Sequence, residues 1–143
     1  MLVSTKGRYA LRVMIDLAEH SNGGYTPLKE VADRQEISEK YLENIVQTLV
    51  RAGYLEGLRG KGGGYRLANP PEDYTVGALL RLTEGTLAPV NCLTEGAAPC
   101  PMAAECRTLP MWQKLNGMIS EYLNSVTIAD LMRDASLGNE YVI

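Results

Sequence analysis

Three cysteines carry the most reactive chemistry in the sequence. Cys92, Cys100 and Cys106 fall within 15 residues of a 143-residue chain that holds no other cysteine. The count is odd, and Met1-Leu2-Val3-Ser4-Thr5-Lys6-Gly7-Arg8 shows no apolar leader with a small-residue cleavage site. Both features argue against a disulfide framework and for reduced thiols in the cytoplasm. Clustered thiolates suit an iron–sulfur cluster or zinc. The spacing C-x7-C-x5-C lacks the tight C-x2-C knuckle common in zinc sites, which lowers the case for zinc. The one histidine, His20, stands far off in the sequence and reads as a surface residue. No nucleophile–base constellation is present, so an enzyme is not expected.

A second set of residues could neutralise phosphates. The chain is acidic overall, with 14 Lys/Arg against 17 Asp/Glu, net charge −3 and a pI near 5.2. That average hides an asymmetry: residues 1–66 carry ten basic and eight acidic side chains, residues 67–143 four and nine. An acidic total therefore leaves room for a basic footprint. Lys6, Arg8 and Arg12 cluster at one end, and Arg59, Lys61 and Arg66 cluster in the glycine-rich stretch around Gly60 to Gly64. A phosphate-cradling nucleotide loop is the competing use of such glycines. This run lacks a following Ser/Thr and opens no helix, so that use is rejected.

The elements that must position these groups are legible in the periodicity. Ala10, Val13, Met14, Leu17 and Ala18 mark an amphipathic first helix. Thr26-Pro27 is expected to cap a short second helix that buries Leu28, Val31 and Ala32. Ser38 is expected to cap a third, with Leu42, Ile45, Val46 and Leu49 inward and Gly53 closing it. Two strand-like runs around the glycines read as a hairpin. Thr75 caps a fourth helix, Pro110 opens a long one, and Thr127 caps a short last one. No run approaches the roughly 20 apolar residues that span a bilayer, so no membrane partner is expected.

Helix, tight turn, helix and hairpin make a winged helix-turn-helix, in a fold that is mainly α with a small β-hairpin. The expected organisation is a DNA-binding unit over 1–84, a cysteine-containing sensor loop over 85–109, a dimerisation helix and short terminal helix over 110–134, and a tail over 135–143. On the third helix Glu39, Lys40, Glu43, Asn44 and Gln47 remain for base edges in a major groove, with Ser38 and Tyr41 placed for phosphates. Lys6, Arg8, Arg59 and Lys61 complete the expected contacts to double-stranded DNA.

Four segments are similar to one family, the Rrf-type winged-helix transcriptional regulators. They are Ser4-Thr5-Lys6-Gly7-Arg8-Tyr9-Ala10, Ile37-Ser38-Glu39-Lys40-Tyr41-Leu42-Glu43, Arg59-Gly60-Lys61-Gly62-Gly63-Gly64-Tyr65 and Thr127-Ile128-Ala129-Asp130-Leu131. The resemblance implies a bacterial homodimer whose long C-terminal helices pair. It puts Arg59 in a minor groove and Lys40, Tyr41, Glu43 and Asn44 at base-reading positions. The cysteine loop resembles the cluster-binding loop of the IscR and NsrR members, in which three cysteines hold iron. The sequence departs from those patterns at the fourth ligand. Leu109 stands where the IscR type has histidine, and Arg8 where the NsrR type has aspartate. Glu95, Glu105, a water or a small thiol are the open alternatives.

A homodimer also follows from the residues. Trp112, Leu115, Met118, Ile119 and Tyr122 give the long helix more apolar width than a small domain covers, and a two-fold dimer matches a pseudo-palindromic operator. The expected function is a homodimeric repressor or activator sensing iron–sulfur supply, redox state or nitric oxide. One alternative is a CymR-like repressor of sulfur or cysteine metabolism controlled by a partner enzyme, suggested by Glu140-Tyr141-Val142-Ile143. The other is a small redox or metal-carrier protein that binds no DNA.

Overall fold

The structure, a computed structural model, describes residues 2–133. The expected tail over 135–143, with Glu140 to Ile143, lies outside the described residues. Six helices and one antiparallel hairpin follow in chain order: α1 (Thr5–His20), α2 (Leu28–Gln35), α3 (Glu39–Arg51), β1 (Leu55–Leu58), β2 (Gly64–Leu67), α4 (Val76–Glu84), α5 (Leu109–Ser125) and α6 (Ile128–Leu131). The fold is mainly α with a small hairpin.

Local chemistry fixes most boundaries. The Ser4, Ser38 and Thr75 hydroxyls each accept from a backbone N–H three residues on, satisfying first-turn donors of α1, α3 and α4. Thr127 and Asp130 cap α6 reciprocally. The end of α3 is closed by Gly53 N–H on the Val50 carbonyl and Tyr54 N–H on the Leu49 carbonyl, which turns the chain straight into β1. The turn between α2 and α3 is made by Glu36 at φ 54, the one non-glycine residue in the left-handed region among those described. That conformation costs about 1–2 kcal/mol, offset here by the packing of the two helices it joins.

The expected cap on α2 is corrected. Helix α2 starts at Leu28 after Pro27, with no side-chain capping bond, and Thr26 is buried. Thr26 instead exchanges both backbone hydrogen bonds with Tyr65, at 2.9 Å each. The hairpin thereby gains a third, one-residue strand whose single rung ties it to the entry of α2. Gly64 makes that rung feasible, because a Cβ there would strike the Thr26 carbonyl and its φ of 142 is one that side chains rarely adopt.

The main core brings Met14 and Leu17 of α1, Val31 of α2, Leu42 and Ile45 of α3, and Leu79 of α4 together with Ile128 of α6. A second cluster joins Val76, Leu80 and Leu87 to Ile119, Leu123 and Val126. So α5 leans on α4 through its C-terminal half while α6 returns to α1. Between α4 and α5, Arg81 donates to Asn124 at 2.8 Å and to Ser120 at 3.3 Å.

Candidate nucleic-acid interface

Helix α3 is rolled into place by its apolar stripe. Leu42, Ile45, Val46 and Leu49 are buried, which leaves Glu39, Lys40, Glu43, Asn44 and Gln47 exposed on the outer face, as their spacing predicts. Ser38 is exposed at the cap. Tyr41 is half-exposed at the N-terminal end, its ring edge-on to Tyr9 of α1 with centroids 5.7 Å apart.

Behind that ring pair lies a polar network that the sequence pattern does not announce. Tyr9 sits under the Arg12 guanidinium at 5.1 Å, and Arg12 donates to the Gln35 side-chain oxygen at 2.9 Å and to its carbonyl. Gln35 donates to Asp16 at 2.8 Å, and Arg34 grips the same carboxylate through Nε and Nη2, the latter at 2.7 Å. Asp16 is fully buried, so the charge is viable only with these partners. The hydrogen bond to Asp16 also raises the Arg34 pKa above its ordinary value. Arg12, expected among the free basic residues, therefore binds α1 to the end of α2. The signal that could have revealed the network was an acidic residue, Asp16, on the apolar face of an otherwise regular helix. His20 is half-exposed at the end of α1, its ring nitrogen 2.9 Å from the Asp16 carbonyl.

The wing presents its cations unevenly. Strands β1 and β2 pair from Leu55–Leu67 to Leu58–Gly64, and the tip between them exposes Arg59 and Lys61. Positive φ at Gly60 and Gly62 lets the tip turn without side chains beside the two cations. Among the described residues no carboxylate pairs with Lys6, Arg8, Lys40, Arg59 or Lys61. Arg66, grouped with them in the sequence, is turned away. It donates to Glu56 at 2.9 Å across the hairpin and stacks over Tyr25 at 4.4 Å, and the Glu56 bond raises its pKa. It braces the wing's flank, leaving Arg59 and Lys61 at the tip.

The cysteines converge on one small cavity of about 160 Å³ where α5 begins, lined by Cys92, Cys100, Cys106, Leu109 and Gln113 with three further apolar or small residues. All three thiols are free, Cys92 and Cys100 exposed and Cys106 half-buried. The Thr108 hydroxyl, 3.5 Å from the Cys106 sulfur, and nearby backbone N–H groups hold that thiol below its ordinary pKa. Among the described residues no three His, Cys, Asp or Glu side chains are drawn close enough to hold a metal ion. The donor set nevertheless suits iron and sulfide in type: three soft thiols on one mostly apolar cavity. Leu109, at the expected fourth-ligand position, lines the cavity without a donor atom. Glu95 opens on a neighbouring polar cavity beside Arg81, and Glu105 is not among the lining residues of either.

The dimerisation stripe divides. Ile119 faces inward onto α4, with Leu123 and Val126 beside it, and Trp112 is half-buried. Leu115, Met118 and Tyr122 are exposed, with Met111 one turn earlier on the same side; Met118 and Tyr122 are 58% and 67% exposed. The outer face thus keeps an apolar row at i, i+4, i+7 and i+11.

Two helices joined by a tight turn, the second with a solvent-facing polar surface, followed by a hairpin with unpaired cations at its tip, define a winged-helix DNA-binding protein. The family model Rrf2, described as "Iron-dependent Transcriptional regulator", matches residues 3–134. The HTH-type transcriptional regulator IscR of Photobacterium profundum is 39% identical over 134 residues, 94% of this chain and 77% of that protein. Protein rrf2 of Nitratidesulfovibrio vulgaris is 41% identical over 137 residues, 96% and 91%. Among solved structures, CymR (YrzC), the global cysteine regulator of B. subtilis, superposes with a TM-score of 0.75 at 38% identity, covering 92% of this chain and 95% of that one. The chain belongs to the Rrf2 family and is a DNA-binding transcriptional regulator, not an enzyme.

Proposed function

We propose that this regulator acts as a homodimer on a pseudo-palindromic operator and that its cysteine loop reports iron–sulfur, redox or nitric oxide status. The observation that carries the DNA half is the exposed polar face of α3 beside a wing whose tip cations have no carboxylate partner among the described residues. In this reading Lys40, Tyr41, Glu43, Asn44 and Gln47 meet base edges and Arg59 enters a minor groove. Glu39 lies on the same base-facing surface, and Ser38, Lys6, Arg8 and Lys61 contact the backbone. A regulator of this kind works where the chromosome is, in the cytoplasm. Leu115, Met118 and Tyr122, flanked by Trp112 and Ile119, pair with their two-fold copies, which spaces two recognition helices for successive half-sites.

Cys92, Cys100 and Cys106 would hold an iron–sulfur cluster, which when bound supplies a redox- and nitric-oxide-sensitive centre. Leu109 offers no fourth ligand, so Glu95, Glu105, a water or a small thiol would complete the set. The loop joins the DNA-binding unit to α5, so any ligand that favours one loop arrangement biases the angle between the two wings. Protein purified without oxygen should carry iron and sulfide and absorb in the visible, and substitution of any one cysteine by serine should remove both. Colourless protein with neither element contradicts the cluster. The likeness to CymR supports a second reading, a regulator of sulfur metabolism controlled by a partner protein. That reading predicts colourless protein whose operator affinity changes only when the partner is added.

A further inference from the structure

Glu84 is the last residue of α4, and the cysteine loop begins at the next position. Its carboxylate does not pair with Arg81 one turn back. One oxygen, Oε1, instead accepts from both the backbone N–H and the hydroxyl of Ser4, at 2.6 and 2.7 Å. Ser4 is the cap of α1: the same hydroxyl accepts from Gly7 N–H at 3.1 Å, and its carbonyl accepts from Arg8 N–H at 3.1 Å. A single carboxylate thus holds the cap from which the first turn of α1 hangs, and that turn bears Lys6 and Arg8.

The fit is specific in shape as well as in charge. Gly7 is buried against the end of α4, and a Cβ at that position would lie 2.5 Å from Glu84 Oε1, 3.0 Å from Thr83 Oγ1 and 3.2 Å from a Leu80 methyl. The two elements meet closely only because residue 7 has no side chain. Ser4 itself is exposed, and the cap's other anchor is Val3, which packs in the second cluster with Leu87 of the loop. Loop movement therefore reaches the α1 cap through Glu84 and the Val3–Leu87 packing, both outside the main core.

We infer that Glu84 is a positioning residue that couples the cysteine loop to the DNA-facing first turn of α1, so that the state of the loop sets how Lys6 and Arg8 meet the phosphate backbone. This rests on the DNA-binding surface proposed above. It makes Gly7 and Glu84 two halves of one joint. Either Gly7→Ala or Glu84→Ala should release the first turn, and the double variant should add little to the single ones. Glu84→Gln keeps an oxygen that accepts both Ser4 bonds and should preserve the joint.

The test combines amide exchange with DNA titration on the full chain. In Glu84→Ala the Gly7 and Arg8 amides should exchange roughly tenfold faster while core amides of α3 are unchanged, as expected for loss of one or two hydrogen bonds at an otherwise intact helix end. The salt slope of binding to a random-sequence duplex should fall by about 0.9 for each phosphate that Lys6 and Arg8 no longer neutralise. Glu84→Gln should match the parent in both. Alkylating the three thiols with N-ethylmaleimide should speed the same two amides in the parent and have no further effect in Glu84→Ala. Faster exchange with an unchanged slope overturns the link to DNA, and alkylation that leaves these amides unmoved overturns the link to the loop. If the parent itself shows no salt-dependent binding, it is the proposed DNA surface that fails, and the exchange data then decide the joint alone.

Discussion

Arg59 and Arg66 lie seven residues apart and look alike in the sequence, yet they have different work. Arg66 is saturated by Glu56 and Tyr25, while Arg59 stands at a glycine-lined tip with no carboxylate near it among the described residues. Arg59→Ala should therefore weaken operator binding by about 1–3 kcal/mol and leave thermal stability unchanged, as measured by fluorescence anisotropy and by melting. Arg34 is the opposite case. It answers the fully buried Asp16 carboxylate with a two-nitrogen grip, so Arg34→Met strands a charge that Gln35 only partly satisfies. Because the Arg34 side chain is 31% exposed, the loss should be about 2–3 kcal/mol, below the 3–5 of a fully buried pair, and denaturant unfolding would show it. Residue types and spacing sufficed to place the polar face of α3 and the wing tip and to single out the cysteine segment, but not the cavity its thiols line. They could not reveal where Arg12, Arg66 and Glu84 point, because each partner lies on another element and no local pattern links them.

Among elements, boundaries set by short-range chemistry were the readable ones: the Ser38 and Thr75 caps and the Gly53 stop depend on neighbours within a turn. Thr26 shows why the others were not. Thr-Pro before an apolar run is a good cap signal, but Tyr65, thirty-nine residues away in sequence, offered its backbone and won. Helix α5 gives the same lesson in side chains. Its apolar residues read as one face, and the structure splits them, Ile119 inward and Leu115, Met118 and Tyr122 outward, because α4 covers only one side. If that outer row is the dimer seam, Leu115→Glu with Met118→Glu places four like charges across the two-fold axis. Sedimentation should then show monomers at concentrations where the parent is a dimer, with helix content retained. A parent that sediments as a monomer contradicts the seam directly.

For the whole molecule, the net charge of −3 and the proposed DNA partner are reconciled by distribution. Among the described residues, cations without a carboxylate partner gather on the first turn of α1, the start of α3 and the wing tip, while the acidic surplus belongs to residues 67–143. The local field set by α3 and the wing is what would hold a duplex. The most direct test titrates the protein onto DNA from its own promoter region over a range of salt concentrations. Affinity should fall linearly on a log–log plot with a slope of several units, about 0.9 per neutralised phosphate, and Lys61→Ala should reduce that slope by about one. Binding that ignores salt, or a slope untouched by loss of Lys61, would contradict a wing that grips phosphates.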